Sequence, residues 1–153
     1  MTKQERYEEV LPQVVAMTEG ETNRVSVMAN VAAALHEAFQ WWWTGFYTVE
    51  GDRLELGPFQ GPVACYRIKR GRGVCGTAWE RDETVIVPDV DQFPGHIACS
   101  SLSRSEIVVP VHDSTGEVVA VLDIDSKELS TFDETDKIYL EKLVAAISKE
   151  LKW

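Results

Sequence analysis

Three cysteines and three carboxylates carry most of the chemical capacity of this sequence. Cys65, Cys75 and Cys99 stand ten and twenty-four residues apart. The thiolate is the nucleophilic form, and a helix N-terminus or a nearby cation lowers a thiol pKa from its free value of about 8.5. By that criterion Cys75 is the best thiolate, because it opens a short predicted helix and follows Arg70 and Arg72. Cys99 has His96 three residues before it and lies in a segment that can admit a substrate. Cys65 has no evident activating neighbour. Each of the three could instead be an inert core thiol, since free cysteine packs as a small hydrophobe. Structural zinc is announced by close ligand pairs such as C-x-x-C, and these spacings offer none, so no metal centre is expected.

Glu106, Asp123 and Asp125 sit at the margins of strongly apolar segments, where an unpaired buried carboxylate is costly. They either face water or gather around a cationic ligand. Gathered in one pocket, their mutual repulsion and desolvation would favour the neutral acid, which can donate a proton.

The elements that must position these groups follow from periodicity. Tyr7, Val10, Leu11, Val14, Val15 and Met17 recur at helical spacing over residues 2–18 despite Pro12, and this helix is expected to cover a sheet. After the capping residues Glu21, Thr22 and Asn23, the pattern Val27, Val31, Ala34, Leu35 and Phe39 predicts a second helix. Residues 41–49 and 53–56 flank Glu50-Gly51-Asp52 as an antiparallel hairpin, in which Trp41 and Trp43 share one face and Trp42 takes the other. A short strand is expected over residues 64–68. Gly71-Arg72-Gly73-Val74-Cys75-Gly76 matches G-x-G-x-x-G, but it lacks the buried strand before it and the long helix after it that dinucleotide binding requires. Residues 84–87 form a strand halted by Pro88. From Asp89 to Ser105 no regular period exists, and a loop of that length in a compact domain binds or covers something. Residues 106–112 and 118–125 form a second hairpin, with Asp123 and Asp125 on one face. A final helix, capped by the acidic run around Asp133, presents Ile138, Leu140, Leu143, Val144 and Ile147. This order implies an α+β fold, an antiparallel sheet with helices packed against it.

The 153 residues suit a single domain spanning 1–153, and 44% hydrophobic with 26% charged content is ordinary for a globular chain. A formal charge of −10 argues against nucleic acid as a partner, because only Arg67, Lys69, Arg70 and Arg72 make a basic patch. The polar N-terminus is no signal peptide, and no apolar run reaches the roughly 18 residues of a membrane helix. A cytoplasmic protein without membrane contact is expected. There an odd number of cysteines suits catalytic or redox chemistry better than structural disulfides.

Taken together, Trp43-Thr44-Gly45-Phe46-Tyr47, Leu56-Gly57-Pro58-Phe59-Gln60-Gly61, Ala64-Cys65, residues 71–78, Gly95-His96-Ile97-Ala98-Cys99, residues 105–108 and Leu122-Asp123-Ile124-Asp125-Ser126 resemble the GAF-domain free methionine-(R)-sulfoxide reductases. The resemblance spans nearly the whole chain. It implies a GAF fold, with a six-stranded antiparallel sheet flanked by helices and a ligand pocket covered by the long loop. It further implies that Cys99 attacks the sulfoxide sulfur of free methionine-(R)-sulfoxide and becomes a sulfenic acid. Cys65 would condense with it to a disulfide that a thioredoxin-type reductant reopens, and Cys75 would be a secondary or alternate resolving thiol. Glu106, Asp123 and Asp125 would hold the substrate amine and protonate the oxygen, with Trp43 and Tyr47 on the substrate-binding wall. No cofactor is implied. Members of the family commonly form homodimers. The alternative within the same fold is a non-catalytic sensor of a small ligand or of oxidation, for which a chain of this length leaves no room for an output domain.

Overall fold

The computed structural model describes residues 1–96 and 102–153. Ile97, Ala98, Cys99, Ser100 and Ser101 lie outside the described residues, and with them the central part of the expected covering loop and the expected nucleophile.

Among the described residues six strands form one sheet in which every pairing is antiparallel: β1 (Trp43–Glu50), β2 (Arg53–Gln60), β3 (Arg67–Lys69), β4 (Val85–Val87), β5 (Ser105–His112) and β6 (Val118–Ser126). The order across the sheet is β3-β2-β1-β6-β5-β4, so the long hairpins lie inside and the two three-residue strands form the rims. Among the described residues, four α-helices, α1 (Lys3–Thr18), α2 (Arg24–Phe39), α3 (Gly73–Arg81) and α4 (Glu134–Ser148), and a 3-10 turn at Val90–Gln92 complete the fold.

Strand alternation splits the interior into two layers. On one face Phe46, Ile107, Val109, Val111, Ala120, Leu122 and Ile124 pack with apolar residues of α1, α2 and α4. On the other face Trp43, Tyr47, Val108 and Val121 pack with Val74, Cys75, Ala78 and Trp79 of α3. The period of two puts Glu106, Asp123 and Asp125 on this second face, where α3 is short and leaves space.

Helix α1 packs on α4 and α2 rather than mainly on the sheet. Its link to α4 is polar as well as apolar. Asp136, 1% exposed, accepts from Tyr7 Oη at 2.5 Å and from Lys3 Nζ at 2.6 Å, and it closes the capping box of α4 with Asp133. Asp136 takes the stripe position one turn before Leu140, which turns Ile138 outward to 44% exposure, contrary to its expected place on the apolar side. Met17 is likewise 43% exposed, with Thr18 buried in its stead.

The three tryptophans also depart from expectation. Gln40 ends α2 in the left-handed region at φ 58°, and β1 begins only at Trp43, so strand parity does not reach back to Trp41. Trp41 joins the helix-side layer, stacked on Phe39 at 4.3 Å, whereas Trp43 belongs to the opposite layer. The strand expected over 64–68 is displaced to Arg67–Lys69, leaving Cys65 in the approach to it. The glycines of residues 71–76 serve local packing. A Cβ at Gly76 would overlap the carbonyl oxygen of Lys69, so this glycine lets α3 lie against the end of β3.

Candidate active site

The carboxylates meet because of register. Asp125 lies opposite Glu106 on β5 and opposite Trp43 on β1, while Asp123 lies opposite Val108 and Gly45. Glu106 and Asp123 are buried, at 5% and 6% exposure, and Asp125 is half-buried. Above them opens a cleft lined by Trp42, Trp43, Tyr47, Cys75, His96, Ser103, Glu106, Asp123 and Asp125, with Val63, Ala64, Ile68, Gly73 and Val74.

One wall is held rigidly. Trp43 stacks on Phe59 at 5.1 Å and on Tyr47 at 6.2 Å, and its indole Nε1 donates to the Pro62 carbonyl at 3.0 Å. Gly45 is required beneath it, since a Cβ there would overlap Phe59 and come within 2.8 Å of Trp43 Cη2. Tyr47 Oη donates to the Cys65 carbonyl at 2.9 Å, which fixes the segment carrying that cysteine. Burial and then the Asp123 charge raise the Tyr47 pKa, so it stays a phenol.

Burial is also the first cause that pushes the Glu106 carboxyl well above the usual carboxylate range, followed by repulsion from Asp123 and Asp125. Asp125 is raised well above its usual value by burial and by Asp123. Asp123 is raised too, by burial, but hydrogen bonds from Glu106, Cys75 and Asp125 and the proximity of His96 oppose the shift. The cluster therefore retains protons, with Asp123 the member best supported as an anion. Asp123 Oδ1 is buried with no hydrogen-bond partner among the described residues. Ser103 Oγ donates to Asp125 Oδ1 at 3.2 Å. His96 Nε2 stands 3.9 Å from Glu106 Oε1, and burial lowers its pKa toward the neutral imidazole.

The structure overturns the expectation that Cys75 is the readiest thiolate. It is a free thiol, 4% exposed, whose pKa is raised well above the ordinary value by burial first and then by Asp123, Glu106 and Asp125. Arg70 does not offset this, as its guanidinium lies over Trp79 at 5.3 Å. Cys65, half-buried, is disulfide-bonded. It does not line the cleft, although its neighbour Ala64 does.

Of the residues expected at a site, Trp43, Tyr47, Cys75, Glu106, Asp123 and Asp125 thus share one cavity, and Cys65 lies at its edge. Sequence reasoning did not place Trp42 or Ser103 there. Ser103 left a weak signal, as a hydroxyl two residues before the strand that carries Glu106. Among the described residues no helix is long and apolar enough to cross a membrane.

Comparison with known proteins agrees with this geometry. The family model of the GAF domain matches residues 21–151. GAF domain-containing protein A of Dictyostelium discoideum is 54% identical over 144 residues, covering 94% of this chain and 90% of its own. The free methionine-R-sulfoxide reductase of Saccharomyces cerevisiae is 42% identical over 157 residues, covering 97% of this chain and 87% of its own. The X-ray structure of free methionine-R-sulfoxide reductase from Neisseria meningitidis, in complex with its substrate, superposes with a TM-score of 0.95 at 54% identity and covers 98% of this chain and 90% of that one. The fold is the GAF fold, and the chain belongs to the GAF domain family, in the branch of the free methionine-R-sulfoxide reductases.

Proposed function

We propose that the protein reduces free methionine-(R)-sulfoxide to methionine in the cytoplasm. The observation that carries this reading is the carboxylate cluster on β5 and β6, facing an aromatic wall across one cleft. Asp123, the best-supported anion, attracts the substrate's α-ammonium, which also donates a hydrogen bond to the carbonyl oxygen of protonated Asp125. Glu106, held protonated, donates toward the sulfoxide oxygen. Trp43 packs on the methyl end.

Reduction then needs a nucleophile and a second thiol. Cys99 attacks the sulfur, the S–O bond breaks as oxygen passes to the cysteine, and methionine leaves with Cys99 as a sulfenic acid. The Cys65 thiol displaces water from that acid to form a disulfide. A thioredoxin-type dithiol reduces it to two thiols and is itself oxidised to a disulfide. The disulfide-bonded state of Cys65 beside the free, buried thiol of Cys75 supports Cys65 as the resolving partner.

Incubating the purified chain with free methionine-(R)-sulfoxide and a thiol reductant should yield methionine. The Cys99→Ser variant should release none, even in a single turnover. Undiminished turnover by that variant would sink the assignment of Cys99, and no turnover by the wild type would sink the activity.

A further inference from the structure

The floor of the cleft holds a thiol that the proposed reduction leaves unused, beside two of the carboxylates that it does use. Cys75 Sγ and one carboxylate oxygen from each of Glu106 and Asp123 lie within 4.8 Å of one another, and all three residues are buried. No lysine or arginine lines the cleft among the described residues. Asp123 Oδ1, on a side chain more than nine-tenths buried, has no hydrogen-bond partner among the described residues. The neutral imidazole of His96 stands at the same cavity, 3.9 Å from Glu106. An ammonium group can satisfy the carboxylates, but it has no use for a thiol.

We propose that Cys75, Glu106 and Asp123, with His96 as fourth donor, form a binding site for a divalent cation of the zinc class. Sulfur and nitrogen donors argue for zinc or cobalt over magnesium or calcium, which take six or more oxygens. Ligands about 2.0–2.3 Å from a tetrahedral ion lie roughly 3.3–3.7 Å apart, so Cys75, Glu106 and Asp123 close around one with side-chain shifts of about an ångström, while His96 lies outside that triad and must swing in. On binding, the Cys75 S–H bond and any carboxyl O–H bond break, their protons pass to solvent, and metal–sulfur and metal–oxygen bonds form without oxidation or reduction. The double positive charge relieves the repulsion among the buried acids. A metal seated there occupies the floor that a substrate ammonium would use, so the two exclude each other.

Close ligand spacing could not have announced such a site, because its donors come from α3, β5 and β6 and the approach to β5. The binding test is also independent of the reductase reading. Titrating the intact chain with cobalt(II), with Cys65 in its disulfide, should saturate at one equivalent and give a thiolate-to-cobalt charge-transfer band in the near ultraviolet. Zinc should displace the cobalt. Cys75→Ser should lose the band, and Asp123→Asn should weaken binding roughly tenfold or more. Zinc-edge X-ray absorption of the wild type, which needs no variant, should show one sulfur among lighter scatterers. A titration that never saturates, a band that survives in Cys75→Ser, or a zinc shell without sulfur would overturn the proposal.

Discussion

Glu106 and Asp125 are directly paired across the β5–β6 ladder, two acids at one register position on the same face of the sheet. Like charges at such a position are destabilising, and here both side chains face a cleft and Glu106 is buried. The arrangement is tolerable because the pair holds protons, and that sets its dependence on pH.

A carboxyl whose pKa is raised on folding binds its proton more tightly in the folded state, as burial makes Glu106 and Asp125 do. Its contribution is complete below the unfolded value of 4.5 for Glu106 and is lost as pH rises through the raised folded value. The ligand-free protein should therefore lose stability as pH climbs from the acid range through neutrality. Glu106→Gln removes the titration, so its thermal midpoint should exceed the wild type's by about 2 °C or more at pH 8, and by less at pH 5. Methionine formation by this variant should fall by about 100-fold or more. Equal midpoint shifts at both pH values would contradict the proton-holding role.

Cys65→Ser should still release methionine once, because the first step needs only Cys99. Thioredoxin-coupled cycling should then fall by roughly tenfold or more, since no thiol at position 65 can resolve the sulfenic acid. Full cycling would transfer the resolving role to Cys75.

The cleft should discriminate by substrate charge. With Asp123 and Asp125 as the ammonium site, a peptide-bound sulfoxide, whose nitrogen is an uncharged amide, should react far more slowly than the free amino acid. Comparable rates on the two substrates in parallel assays would refute the acidic cluster as the amine-binding wall.

Gly45→Ala would force apart the contact between Phe59 and the Trp43 ring. The expected cost is about 1–3 kcal/mol, seen as a lower denaturant midpoint, with a shift in tryptophan emission as Trp43 moves. A variant of wild-type stability would show that the aromatic wall yields.

Much of this organisation is legible in the chain. Alternation in residues 105–112 and 118–126 sends Ile107, Val109, Leu122 and Ile124 one way and Glu106, Asp123 and Asp125 the other, which is local information. The behaviour of Cys75 is not local. Its immediate neighbours promise a stabilised thiolate, but burial first, and then carboxylates from strands more than thirty residues downstream, raise its pKa. Trp41 misleads for the opposite reason: its sequence looks strand-like, but the left-handed Gln40 ends α2 just before it and resets the geometry. Ser103 and Trp42 carry no periodic signature, and only the folded chain brings them to the cleft.

The shortness of the two rim strands bears on how copies of the chain behave when crowded. β3 offers three residues, with exposed Arg67 and Lys69 on either side of Ile68, and β4 offers three, closed by Pro88. An incoming strand finds too few free backbone groups to extend a ladder, and it must also bring a second charge of −10 close to the first. Each long hairpin is flanked on its outer side by one of these short charged or proline-closed strands, which cover Arg53–Glu55 of β2 and Glu106–Val108 of β5.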